Sequence, residues 1–217
     1  MSGPFLGVTM KSVASFFPRV APYLMGCPEP LMAQAVVDYA IVFCEDSLAL
    51  REKLDTFTTV AGTSAYALDA PTSLQVARIL NVWVDGTAIP SLAADTAVPP
   101  NSDRATPRLY YTTRTDSELE LQLYPTPDAS YTITVEVALR PTRGATSLPD
   151  DLFDLWVEPV CHGAVGQLMQ IPGQAFTNPV SGMGFAARAT QLSRKARIDG
   201  GIGRVRASRA INRAPFA

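Results

Sequence analysis

The sequence predicts an α+β fold, with a helical domain of about three to four helices, an inserted antiparallel β-sheet or sandwich, and an extended C-terminal arm. Three observations lead there. An early stretch is apolar around most of its helical circumference, with no Gly or Pro inside it. From residue 56 to 140 the hydrophobic period changes to two. Helical spacing then returns at Ser147 and gives way to a basic tail with no core-forming pattern.

The first helix is predicted over Leu31–Leu54. Pro30 can occupy its first turn, where a missing N–H costs nothing. At 100° per residue, Gln34, Asp38, Glu45 and Glu52 share one narrow stripe, and most of the remaining circumference is apolar. Such a helix must be covered on most sides. The expectation is that a neighbouring subunit supplies part of the cover, with Val37 and Ile41 at that boundary.

Strands are predicted over Thr56–Val60, Ala65–Leu68, Val76–Val84, Leu109–Thr113, Leu119–Tyr124 and Tyr131–Leu139, all rich in β-branched and aromatic residues. In the last of these, Tyr131, Ile133, Val135 and Val137 take one face, and Thr132, Thr134 and Glu136 take the other. Asp85-Gly86 signals a hairpin turn. Loops fall at Pro99–Asp103 and Pro125–Asp128.

Ser147-Leu-Pro149-Asp150 can cap the next helix, predicted to reach about Met169 with a kink at Pro159. Gly163-Ala-Val-Gly166 fits a site of close helix–helix approach. After a Gly/Pro loop, Asn178-Pro179 opens another helix, with Phe185, Ala189, Leu192 and Ala196 on one face. Gly200, Gly201 and Gly203 are expected to end it and to uncouple the tail from it. The predicted organisation is a discontinuous helical domain (1–55 and 145–203), an inserted β domain (56–144) and an arm (204–217).

The 217 residues are 47 % apolar and only 18 % charged, against a usual charged share of about 25 %. A low-charge chain of this size suits a subunit that hides surface against neighbours. No apolar run is long enough to span a membrane, and the start lacks a secretory pattern. Cys27, Cys44 and Cys161 are scattered and odd in number. They suggest neither a zinc site nor a disulfide framework, and fit a protein made in the cytoplasm.

The net charge of −2 hides a segregation. From Arg188 onward, eight basic residues face one acidic residue, a net +7; the rest of the chain carries −9. The arm, with Arg204, Arg206, Arg209 and Arg213, could meet an acidic protein surface or the phosphates of nucleic acid, or simply be solvated.

Enzymatic options are narrow. His162 is the one histidine, and Asp151, Asp154, Glu158 and His162 follow helical spacing. Glu158 and His162 could hold a metal or act as a base with its orienting carboxylate, as a hydrolase would require. The plain alternative is a polar face on an apolar helix. Cys161 and His162 point about 100° apart on a helix and make a poor nucleophile–base pair. No phosphate-loop, dinucleotide or nucleophile-elbow motif occurs.

Several segments in order carry a resemblance. Gly26-Cys-Pro-Glu-Pro-Leu31 leads into the apolar helix with Phe43-Cys-Glu45. Leu121–Pro125 and Val135–Pro141 come next in the strand region, then Leu148–Phe153 and Pro172–Pro179. This order resembles phage head-to-tail adaptor (connector) proteins of the tail-tubular A type from short-tailed phages. The resemblance implies a virion protein at the head–tail junction, assembled in the host cytoplasm. It implies a homo-oligomeric ring, usually of twelve copies, below the portal protein and above a tail or nozzle protein. DNA passes through its channel, and no catalytic residue, metal or cofactor is implied. The arm would clasp the portal through Arg204, Arg206, Arg209, Ile211, Arg213 and Phe216. The rival class is a nucleic-acid-binding accessory protein using the same arm.

Overall fold

The computed structural model describes residues 9–92, 103–115 and 118–202. Its elements are β1 (Met10–Ser12), α1 (Phe17–Val20), α2 (Glu29–Ser47), β2 (Arg51–Lys53), β3 (Phe57–Thr58), β4 (Ala65–Ala67), β5 (Leu74–Val84), β6 (Thr87–Ile89), β7 (Leu109–Thr115), β8 (Glu118–Tyr124), β9 (Thr132–Pro141), β10 (Ser147–Pro149), α3 (Asp150–Asp154), α4 (Val157–Leu168) and α5 (Pro179–Ile202). The α+β class is as the sequence predicts.

Helix α2 starts as expected, with Pro30 in its first turn, but ends seven residues before Leu54. The Ser47 hydroxyl donates back to the Phe43 carbonyl at 2.6 Å and accepts from the Ala49 N–H at 3.2 Å. Leu48 then turns left-handed, at φ 52. The Leu48–Leu54 segment has good helix formers, yet Arg51–Lys53 becomes a strand because it pairs with β9, Arg51 opposite Ala138. A sheet edge elsewhere in the chain overrides local propensity.

The strand region makes two antiparallel sheets. One runs β2-β9-β5-β6, with β3 also on β9; the other runs β4-β8-β7. In β9, Ile133, Val135, Val137 and Leu139 are all buried. Asp85 and Gly86, both at positive φ, turn β5 into β6. Two register shifts interrupt β5 opposite β9, at Ala77 and Leu80. They rephase the strand so that Leu74, Ile79, Val82 and Val84 all reach the core.

The predicted Ser147–Met169 helix is three elements. Ser147 lies in β10, opposite Ser12 of β1, so it is not a cap. Pro149 caps α3, and a turn at Leu155–Trp156 separates α3 from α4. Pro159 therefore stands in the first turn of α4, where it needs no N–H and causes no kink. Asn178 caps α5, its Oδ1 accepting from the Ser181 N–H at 3.1 Å. Gly200 and Gly201 lie inside α5 rather than ending it. Gly200 sits beside Leu48 and Arg51, so docking on the end of α2 offsets the poor helix propensity of glycine.

Helix α2 packs against α4, α5 and β9, in one core continuous with the sheets. Val37 and Ile41 are only 3 % and 4 % exposed within the single subunit. Their cover comes from the chain's own elements, which corrects the expectation that the apolar circumference of α2 needs a neighbour there. The apolar residue left on the outer strip is Val42, 38 % exposed.

Candidate functional site

The titratable cluster foreseen around His162 is dispersed by the break between α3 and α4. Asp151 is exposed, and Asp154 is drawn to the N-terminal strand, where the Lys11 Nζ donates to it at 3.2 Å. Asp151 and Asp154 stay together on α3, while Glu158 and His162 keep their spacing on α4, 4.0 Å apart. Glu158 is shared with Arg188 of α5 at 3.4 Å. The His162 ring packs edge-on to Phe185, which in turn meets Tyr23. Among the described residues, no three His, Cys, Asp or Glu side chains converge as a metal site. Cys161 points into the core, and burial pushes its thiol up to about 12; Arg19 lowers it only in part. Burial also holds the Cys44 thiol at about 12. Neither offers a thiolate nucleophile near neutrality. The arrangement is a polar seam joining the N-terminal segment, α4 and α5.

The imidazole of His162 is held below its ordinary value, first by burial and also by Arg188, against the opposing effect of Glu158. The folded state thus favours neutral histidine. In the window between the folded value and the ordinary value of about 6.5, the unfolded chain binds more protons. Stability from this group is present above that window and is lost as pH falls through it. Thermal melts from neutral to mildly acidic pH should show this slope, and His162→Gln should flatten it while leaving assembly intact. An unchanged slope in the variant would assign the effect to other groups.

The glycines of α4 have a spatial reason. A Cβ at Gly163 would enter the ring of Tyr39 on α2. At Gly166 it would lie 2.9 Å from the Ala186 backbone N and 3.1 Å from the Gly182 carbonyl of α5. Tyr39 also lies close to Ser193 of α5, so one buried side chain lies between α2, α4 and α5. Close approach at Gly163–Gly166 was legible from the sequence; its partners were not.

Half of the foreseen basic segment belongs to the fold. Arg188, Arg194, Lys195 and Arg197 stand exposed on α5. Arg204, Arg206, Arg209, Ile211, Arg213 and Phe216 lie outside the described residues. The N-terminal segment escaped sequence reasoning altogether. Its short Pro-containing turns carry no periodicity, yet Phe16, Val20 and Leu24 are buried. Also missed was the outer face of α5, where Val180, Met183 and Ile198 are exposed. Its three- and four-residue spacing was present in the sequence, but the inner apolar face of the same helix masked it.

No helix among the described residues is long and apolar enough to cross a membrane. A family model described as SU10 adaptor protein matches residues 12–215. No curated protein matches the sequence.

Proposed function

The chain belongs to the SU10 adaptor protein family, and from that premise we propose that it is a structural protein of the phage head–tail junction that forms a ring of twelve copies between portal and tail. The match over nearly the whole chain carries this reading. The ring continues the DNA channel, contacts the portal above and a tail or nozzle protein below, and passes DNA without reading its sequence. An acidic body suits that channel, because like charge keeps DNA from adhering. We assign the helical part to 1–55 and 145–203, the inserted β part to 56–144 and the portal-binding arm to 204–217. Hydrogen exchange tests this division: the outer sheet β4-β8-β7 should open at lower free energy than the core that α2 shares with α4 and β9, and uniform protection of both would refute it.

The arm is proposed to dock on an acidic portal surface through Arg204, Arg206, Arg209 and Arg213, with Ile211 and Phe216 burying apolar area. Fully extended, its 14 residues reach about 45 Å, well beyond one subunit. Deleting Arg204–Ala217 should leave the melting temperature nearly unchanged and abolish retention on portal-bearing heads. Docking of the intact protein should weaken as salt rises. A truncated protein that docks with normal affinity would remove the arm from the interface. Imaging heads with and without the protein tests the wider reading, which requires a ring of added density beneath the portal.

A further inference from the structure

One face of α5 is left uncovered by the other described residues. Val180, Met183, Ala187, Gln191, Arg194 and Ile198 recur at three- and four-residue spacing and are all exposed, Val180 at 77 %, Met183 at 60 % and Ile198 at 59 %. The opposite face, with Gly182, Ala189, Ser193 and Ala196, is buried against the subunit. The outer face holds a shallow, mainly apolar concavity between Ala187 and Ile198, bordered by Arg194 and Lys195.

Helix α2 presents the electrostatic complement. It carries Glu29, Asp38, Glu45 and Asp46 and no basic residue, whereas α5 carries four basic residues and one acidic. The outer strip of α2 runs Gln34, Asp38, Val42 and Glu45, with Asp46 on its flank. Glu45 and Asp46 occupy the last turn of α2, where the helix dipole disfavours negative charge. Arg140 holds Glu45 at 2.6 Å, and the exposed Arg143 stands 3.6 Å from Asp38. Among the described residues, Asp46, Arg194 and Lys195 make no ion pair. Asp46 borders a shallow hollow with Arg78 and Arg197 of its own subunit, whereas Arg194 and Lys195 border the apolar concavity.

Resting on the ring reading above, we propose that neighbouring copies join head to tail, the acidic strip of α2 on one copy seating on the exposed face of α5 on the next. Pairing α5 with α5, or α2 with α2, would bring like charges together. Pairing α2 with α5 attracts and directs Val42 toward the concavity beside Ile198. The contact uses a different surface on each partner, as a closed ring of identical subunits requires. A helix face of 24 residues is about 36 Å long and roughly 10 Å wide. That falls below the ~800 Å² per partner of a stable pair. The single contact is therefore weak, and closure of the ring strengthens it.

The test is self-association of the purified full chain, followed by analytical ultracentrifugation across a dilution series at low and high salt. The parent should associate, less so as salt rises. Arg194→Glu with Lys195→Glu should weaken association about tenfold or more, and so should Asp38→Lys with Asp46→Lys. Combining both reversals in one chain should restore it. Ile198→Ser and Val42→Ser should each weaken association without lowering the melting temperature, because both side chains are exposed in the subunit. A parent that stays monomeric throughout would overturn the proposal, as would reversed variants that associate normally, or a combination no better than either part. Normal assembly of the reversed variants would discard these surfaces and leave the ring standing. Absence of the protein from the head–tail junction would sink the functional reading and leave any measured self-association intact.

Discussion

Ile41→Asp should leave no stable subunit. Ile41 is 4 % exposed and lies in the core that α2 shares with α4, α5 and β9. A carboxylate there would lose its water without gaining a designed partner, and the site would lose the packing of a branched aliphatic chain. The expected cost is about 4–5 kcal/mol or more, against a typical total of roughly 5–15 kcal/mol. Val37→Asp should behave alike, Val37 being 3 % exposed. Circular dichroism should show loss of the cooperative melt or a fall of more than about 10 °C. The exposed neighbour Val42 is the control, and Val42→Ser should change subunit stability by no more than about 0.5 kcal/mol. An Ile41→Asp chain that melts like the parent would place this side of α2 outside the core.

Gly163→Ala, the addition of one methyl group, should destabilise the subunit by about 3 kcal/mol, the upper end of ordinary overpacking. The new Cβ would enter the Tyr39 ring. That ring is 8 % exposed, so it has little room to turn away. The melting temperature should fall by roughly 6–12 °C. The mechanism predicts non-additivity, with Tyr39→Ala opening the space the methyl needs. The double variant should therefore be more stable than the sum of the single losses allows. Strict additivity, or a Gly163→Ala protein as stable as the parent, would separate Gly163 from Tyr39.

Much of the fold was legible because period and punctuation are local properties. The alternation in β9, the Asp85-Gly86 turn, Pro30 at the start of α2 and Asn178 at the start of α5 each follow from a few adjacent residues. The charge segregation was equally plain, since counting needs no coordinates.

Residue order was thus enough for the α+β class, the strand region between helical regions, the two glycines of close approach and the basic C-terminal end. Where elements stop, and what covers them, rested on contacts between distant parts of the chain. Arg51–Lys53 is a strand because β9 offers it an edge, and α5 continues through Gly200 because the end of α2 receives it. Val37 and Ile41 are interior because β9, α4 and α5 close over α2, whereas Val42, one residue along, stays outside. The reason is the same in each case. Helix ends and burial depend on partners distant in sequence, and those contacts outweigh propensities of a few tenths of a kcal/mol to about 1 kcal/mol per residue.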